Sequence, residues 1–241
     1  MKRTNLPLIN ARYWVAILLA SLLGTTFGDF VSLQLGLGYY RGLLPLGMVL
    51  AAIFIAEYRS KVPSEVYYWL AIIVTRTAAT NLADLATHEE RFNYYYVGLV
   101  LAAMLVFTLL IGRKATANHA SYREELPVNN LRYWTAILIA STLGTTLGDF
   151  DETIVGLGVT TGSIMLLIVL CITLYTQYRL KLYNEATYWV TIVVVRTTGT
   201  SLGDFLSEDE GLNLGFITAA SLVATVLVCV LYFWKSKRVQ A

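Results

Sequence analysis

Arg12-Tyr13-Trp14, followed ten residues on by Gly24-Thr25-Thr26-Phe27-Gly28-Asp29-Phe30, decides the fold, because the chain writes its Tyr-Trp…Asp frame four times. Tyr13-Trp14 leads to Asp29, Tyr68-Trp69 to Asp84, Tyr133-Trp134 to Asp149 and Tyr188-Trp189 to Asp204, each tryptophan fifteen residues before its aspartate. A carboxylate within a membrane span is costly and is read as functional by default. Four of them in register imply an integral membrane protein of four repeats whose acids do its work.

Composition agrees. Of 241 residues, 56% are hydrophobic and 14% charged, with a mean hydropathy of +0.60; a soluble domain carries about 25% charged residues. A span needs roughly 20 apolar residues, and eight fit, near 13–31, 36–57, 66–87, 94–112, 132–150, 154–176, 187–206 and 212–234. Arg41 interrupts the outer end of the second. Lys2, Arg3, Arg12, Arg59, Lys61, Arg113, Lys114, Arg123, Arg132, Arg179, Lys181, Lys235, Lys237 and Arg238 then share one side, against Arg41 and Arg91 on the other. The positive-inside rule places both termini in the cytoplasm, in a bacterial plasma membrane. The opposite loops are acidic: Glu89-Glu90, Asp151-Glu152 and Glu208-Asp209-Glu210. No cleaved signal peptide is expected, since the first apolar segment carries the repeat's own Trp and Asp. Cys171 and Cys229 fall within spans and read as small apolar residues.

The halves match at an offset of 120 residues. Gly24–Phe30 recurs as Gly144-Thr145-Thr146-Leu147-Gly148-Asp149-Phe150, and the run from Arg76 to Asp84 recurs from Arg196 to Asp204. Residues 1–114 form the first half, 115–130 a polar cytoplasmic linker with Pro127, and 131–241 the second half. Two spans per unit make every unit enter the membrane in the same sense. The expected fold is all-α: eight transmembrane helices in four parallel two-helix repeats around a polar axis.

Helical geometry gives each repeat an inner face. Counted from the tryptophan at about 100° per residue, positions +7, +11 and +15 lie within about 80° of one another. These are Ser21, Arg76, Ser141 and Arg196; then Thr25, Thr80, Thr145 and Thr200; then the four aspartates. Positions +10 and +14 are always Gly or Ala, the small-xxx-small spacing that lets helices approach closely in lipid. With the Tyr-Trp pairs taken as interfacial, a rise of about 1.5 Å per residue puts each aspartate roughly 22 Å further in. That is the outer half of the membrane, with the arginines on the inner side.

Four tandem two-helix repeats, each with a tryptophan and a Gly-Thr…Asp-type segment (Ala-Thr…Asp in the second), resemble a bacterial multi-pass membrane family known as a repeat of unknown function. The resemblance covers nearly the whole chain, and Arg196–Phe205 is its most specific part. In repeats of that family a glutamate often follows the glycine; here Thr25 and Thr145 stand there. The resemblance implies topology and leaves the chemistry to the residues.

Asp29, Asp84, Asp149 and Asp204 are the expected ion ligands, with the four threonines beside them. The alternative for the acids is structural, as helix caps or partners of a serine or arginine. Arg76 and Arg196 are internal counter-ions or a gate, with direct binding of an anionic substrate as a further reading. An all-oxygen set suits a divalent cation, manganese, magnesium or calcium, rather than a softer metal. The leading function is transport of a small cation, manganese favoured, with the acids as ligands or proton carriers. Two alternatives stand: a membrane enzyme acting on a lipid-soluble substrate, and a sensory or assembly subunit. The lipid bilayer and a small cation are the expected partners, an oligomer is compatible with the pattern, and no nucleic-acid patch stands out. His88 and His119 are too few for a zinc or haem site. Tyr94-Tyr95-Tyr96 reads as interfacial, and Gly36-Leu37-Gly38 and Gly156-Leu157-Gly158 as flexible or re-entrant turns.

Overall fold

The computed structural model describes residues 7–60, 64–116, 130–150, 156 and 158–234. The linker 115–130, apart from its ends, lies outside the described residues, as do His119, Asp151, Glu152 and the basic residues at 2–3, 61, 123 and 235–238. The described chain is all-helical: α1 (Ala11–Asp29), α2 (Gly38–Arg59), α3 (Glu65–Asp84), α4 (Tyr94–Thr116), α5 (Leu131–Phe150), α6 (Val159–Leu180), α7 (Glu185–Ser207) and α8 (Phe216–Phe233). Short π-helical turns, Phe30–Gln34 and Leu85–Glu89, continue α1 and α3 directly after Asp29 and Asp84.

The odd helices begin at caps that the sequence provides. Asn10, Asn130 and Asn184 accept the backbone N–H groups of Tyr13, Tyr133 and Thr187, and Ser64 accepts that of Val66, satisfying donors that a helix start otherwise leaves open. In the second half the turn into α6 requires positive φ, at Gly156 (+71°) and Gly158 (+70°). A Cβ on either would meet open space, so the glycine serves conformation rather than room.

α1, α3, α5 and α7 pack in a closed ring, α1 on α3, α3 on α5, α5 on α7 and α7 on α1. The outer helices cover this ring, α2 against α3, α4 against α5, α6 against α7 and α8 against α1. The two halves therefore share one inner ring. Among the described residues, five helices are long and apolar enough to cross a membrane by themselves: α1 with its π turn, α2, α4, α6 and α8. The other three, α3, α5 and α7, owe their lower hydropathy to polar residues that the ring buries. The outer helices turn Leu44, Phe107, Ile172 and Val228 outward, as lipid contact demands.

The small residues set the ring's closeness. A Cβ on Gly24 would fall under 3.0 Å from the Arg76 side chain, one on Gly144 likewise from Arg196, and one on Gly199 from Ser21. One turn on, Gly28 faces Thr80, Gly148 faces Thr200 and Gly203 faces Thr25, at 2.9–3.2 Å from a built Cβ. Ala79 and Ala83 in α3 are fully buried. Positions +10 and +14 of one inner helix thus seat against +7 and +11 of the next. This head-to-tail contact closes after four copies, as a heterologous interface must if it is not to propagate.

Candidate functional site

Three polar layers occupy the ring axis. At the end where the inner helices begin, Tyr13, Tyr68, Tyr133 and Tyr188 are buried and their hydroxyls form a closed square. Tyr13 bonds Tyr68 at 3.0 Å, Tyr68 bonds Tyr133 at 2.7 Å, Tyr133 bonds Tyr188 at 3.0 Å, and Tyr188 bonds Tyr13 at 2.7 Å. The tyrosines, read from the sequence as interfacial by depth, point inward and bar the axis. Trp69 and Trp189 are buried beside them, and Trp14 and Trp134 partly so. The sequence signal was the invariant tyrosine before each tryptophan, on the flank that carries the small pair.

The middle layer gathers Thr25, Thr80, Thr145 and Thr200, each 1% exposed, with Arg76 and Arg196 at 0%. Each threonine hydroxyl donates to its own helix's carbonyl four residues back, which leaves its lone pairs to accept. Arg76 reaches into this layer. Its Nη2 donates to Thr25 (2.8 Å) and Thr200 (2.5 Å), and its Nη1 to Thr145 and to the Ser141 carbonyl (3.1 Å). One guanidinium thereby ties α3 to the other three inner helices. Arg196 enters from the opposite side, and its Nη1 donates to Ser21 Oγ at 2.9 Å.

The aspartates form the third layer. Asp84 and Asp204 are buried, Asp29 and Asp149 half-buried. Arg76 interacts electrostatically with Asp149, Asp204 and Asp29, and Asp84 with Asp149 and Asp29, so the acids share one mouth. Yet among the described residues no three His, Cys, Asp or Glu side chains stand close enough to hold a metal ion. The structure gathers the threonines tightly and spaces the acids more widely. Just past α7, burial and then Glu210 and Asp209 push the Glu208 carboxyl above its usual range, and Glu208 acts electrostatically on Asp29. His88, in the π turn after Asp84, is a neighbour: its Nδ1 is 3.9 Å from Asp84 Oδ1, and Tyr94 OH is 3.2 Å from its Nε2.

At the tyrosine end, Arg12 pairs with Glu65 at 2.9 Å and Arg132 with Glu185 at 3.0 Å. These join α1 to α3 and α5 to α7, one pair in each half, and place an acid at the positive N-terminus of α3 and of α7.

The chain belongs to the family described as Repeat of Unknown Function (DUF347), whose model matches residues 12–62, 132–183 and 187–240, more than half of its length. Between the first two matches lies the α3–α4 repeat, in which Ala79 and Ala83 stand where the other repeats carry glycine. No curated protein and no solved structure matches the chain.

Proposed function

We propose that this protein carries a small cation across a bacterial plasma membrane, and that the mouth formed by Asp29, Asp84, Asp149 and Asp204 captures it. Both termini lie in the cytoplasm on this reading, from the partition of lysines and arginines, and the acid mouth faces outward. The observation that carries the proposal is where Arg76 directs its hydrogen bonds. All four of its terminal N–H bonds go to neutral oxygens of Thr25, Thr145, Thr200 and Ser141. Three of the acids feel its charge.

A guanidinium directly inward of the acids makes the axis unsuited to open conduction of cations. Like charge repels an incoming cation at that layer, and the tyrosine square bars the far end. A carrier cycle answers both: the cation enters the mouth, competes with Arg76 for the field of the acids, and moves on only when Arg76 leaves the threonine layer. Oxygen-only surroundings favour a hard divalent ion such as manganese, magnesium or calcium. Since among the described residues no three of these acids stand close enough to hold a bare ion, the captured ion is partly hydrated and then exchanges water for Asp and Thr oxygens.

The test is binding by titration calorimetry, and flux in proteoliposomes, of Mn²⁺, Mg²⁺ and Ca²⁺. Asp84→Asn and Asp204→Asn, at the buried positions, should weaken binding roughly tenfold or more, the loss of about 1.4 kcal/mol. Asp29→Asn and Asp149→Asn should do less. If wild type and all four variants bind and move every ion alike, the acids are structural and the proposal fails.

A further inference from the structure

Arg76 and Arg196 occupy the same repeat position on opposite helices of the ring, yet their hydrogen bonding differs sharply. Arg76 occupies the threonine layer. Arg196 is left with a single bond, Nη1 to Ser21 Oγ. Its Nε and Nη2 are buried with no partner. Those two atoms form one edge of the guanidinium, and their N–H bonds run parallel, the geometry that grips an anion with two hydrogen bonds. Arg76 Nε and Ser141 Oγ are also buried without partners, so the unmet groups of this layer are mainly donors.

Charge points the same way. Arg196 and Arg76 repel each other and the field of Asp149, Asp204 and Asp29 reaches Arg76, whereas the groups that favour the charge of Arg196 are the phenols of Tyr68, Tyr13, Tyr133 and Tyr188. Arg196 is 0% exposed, and neutral phenols do not balance its charge. A buried ion without a counter-charge costs several kcal/mol even after relaxation.

We propose that a small monovalent anion binds on the ring axis against the Nε–Nη2 edge of Arg196, on the tyrosine side of the seat that Arg76 fills. Halides and small planar anions such as formate or nitrate share the needed chemistry: one negative charge, compact size, and acceptance of two parallel N–H bonds. This site stands whether or not the acid mouth carries cations, because it involves none of the aspartates.

The experiment follows the thermal midpoint of the purified full-length protein in detergent, at constant sodium and ionic strength, as gluconate is replaced by chloride, bromide, nitrate or formate. A saturating rise is expected for the small anions, about 5–10 °C near a hundredfold excess over Kd. Gluconate is too large to enter and should give none. The ion with the largest rise identifies whether a halide or a planar anion fits best. Arg196→Gln should abolish the dependence, while Arg132→Gln at the tyrosine end should keep it. In case Arg196→Gln does not fold, wild-type crystals grown with bromide supply an independent reading, with an anomalous peak expected between Arg196 and the tyrosine square. Midpoints in all four small anions equal to that in gluconate overturn the proposal, as does unchanged anion dependence in a folded Arg196→Gln or, where bromide raises the midpoint, a bromide peak absent from that place.

Discussion

Replacing Gly144 by alanine probes the helix ring at one of its tightest points. The new Cβ would lie under 3.0 Å from Arg196 Cβ, 2.9 Å from the Arg196 carbonyl carbon and 3.0 Å from Thr197 N, where ordinary contacts run 3.4–4 Å. None of these atoms can rotate away, so α5 and α7 must separate by on the order of 1 Å, at an overpacking cost of about 1–3 kcal/mol. The same movement stretches the 3.0 Å bond between Tyr133 and Tyr188, a further loss of about 1 kcal/mol. With roughly 2–4 °C per kcal/mol at this chain length, the melting midpoint in detergent should drop by about 5–15 °C. Gly47 is the control: a Cβ there meets nothing within 4 Å, and alanine in a helix interior gains up to about 1 kcal/mol over glycine. A Gly144→Ala protein that melts with wild type, or a Gly47→Ala protein that drops as far, would refute the ring as described.

The tyrosine square predicts non-additivity. Tyr133→Phe leaves two buried hydroxyls each short of a partner and should cost about 1–3 kcal/mol, whereas replacing all four by Phe should cost less than four times that, because no orphan remains; thermal unfolding of the single and quadruple variants measures the difference. Glu208 predicts a pH effect. Its carboxyl is raised by burial and by Glu210 and Asp209, so its stabilising share is present when protonated, below the ordinary carboxylate range, and is lost as pH rises through its raised value. Glu208→Gln should therefore hold its midpoint, relative to wild type, as pH rises from 4 to 7, and identical pH profiles would contradict the assignment.

Much of this was legible because each repeat repeats the same physical demand. Lipid gives helices little hydrophobic reason to associate, so paired small residues at +10 and +14 mark the contact, and Gly24, Gly144 and Gly199 lie there. The helical wheel placed Thr25, Thr80, Thr145 and Thr200 on the same inner face, as the structure does. The tyrosine square was not legible, since one Tyr-Trp pair reads as an interfacial anchor and only closure of four copies brings the hydroxyls to 2.7–3.0 Å. Nor was the divergence of Arg76 from Arg196, which share a repeat position although only Arg76 bonds the threonines. The π turns after Asp29 and Asp84 have no glycine or proline to announce them. Turns of this kind often mark functional sites, and here they adjust the backbone directly beyond two of the acids.

The direction of outer packing accounts for the need for a complete set. Each outer helix covers the inner helix of the following repeat, α2 on α3 and α6 on α7, and α8 returns to α1. A single repeat therefore leaves its own inner helix uncovered on the lipid side. A half chain has the same defect, and it also lacks the partners of Arg76, because Thr145 and Thr200 come from the second half. The buried charge that would be most costly in lipid is thus satisfied only when both halves are present, and the two ion pairs at the tyrosine end, one within each half, do not substitute for that contact. Polar layers tied across halves give the ring specificity that apolar packing in lipid cannot supply. The same layers hold the groups from which a cation site and an anion site can be made, so closure of the ring and assembly of those sites are one event.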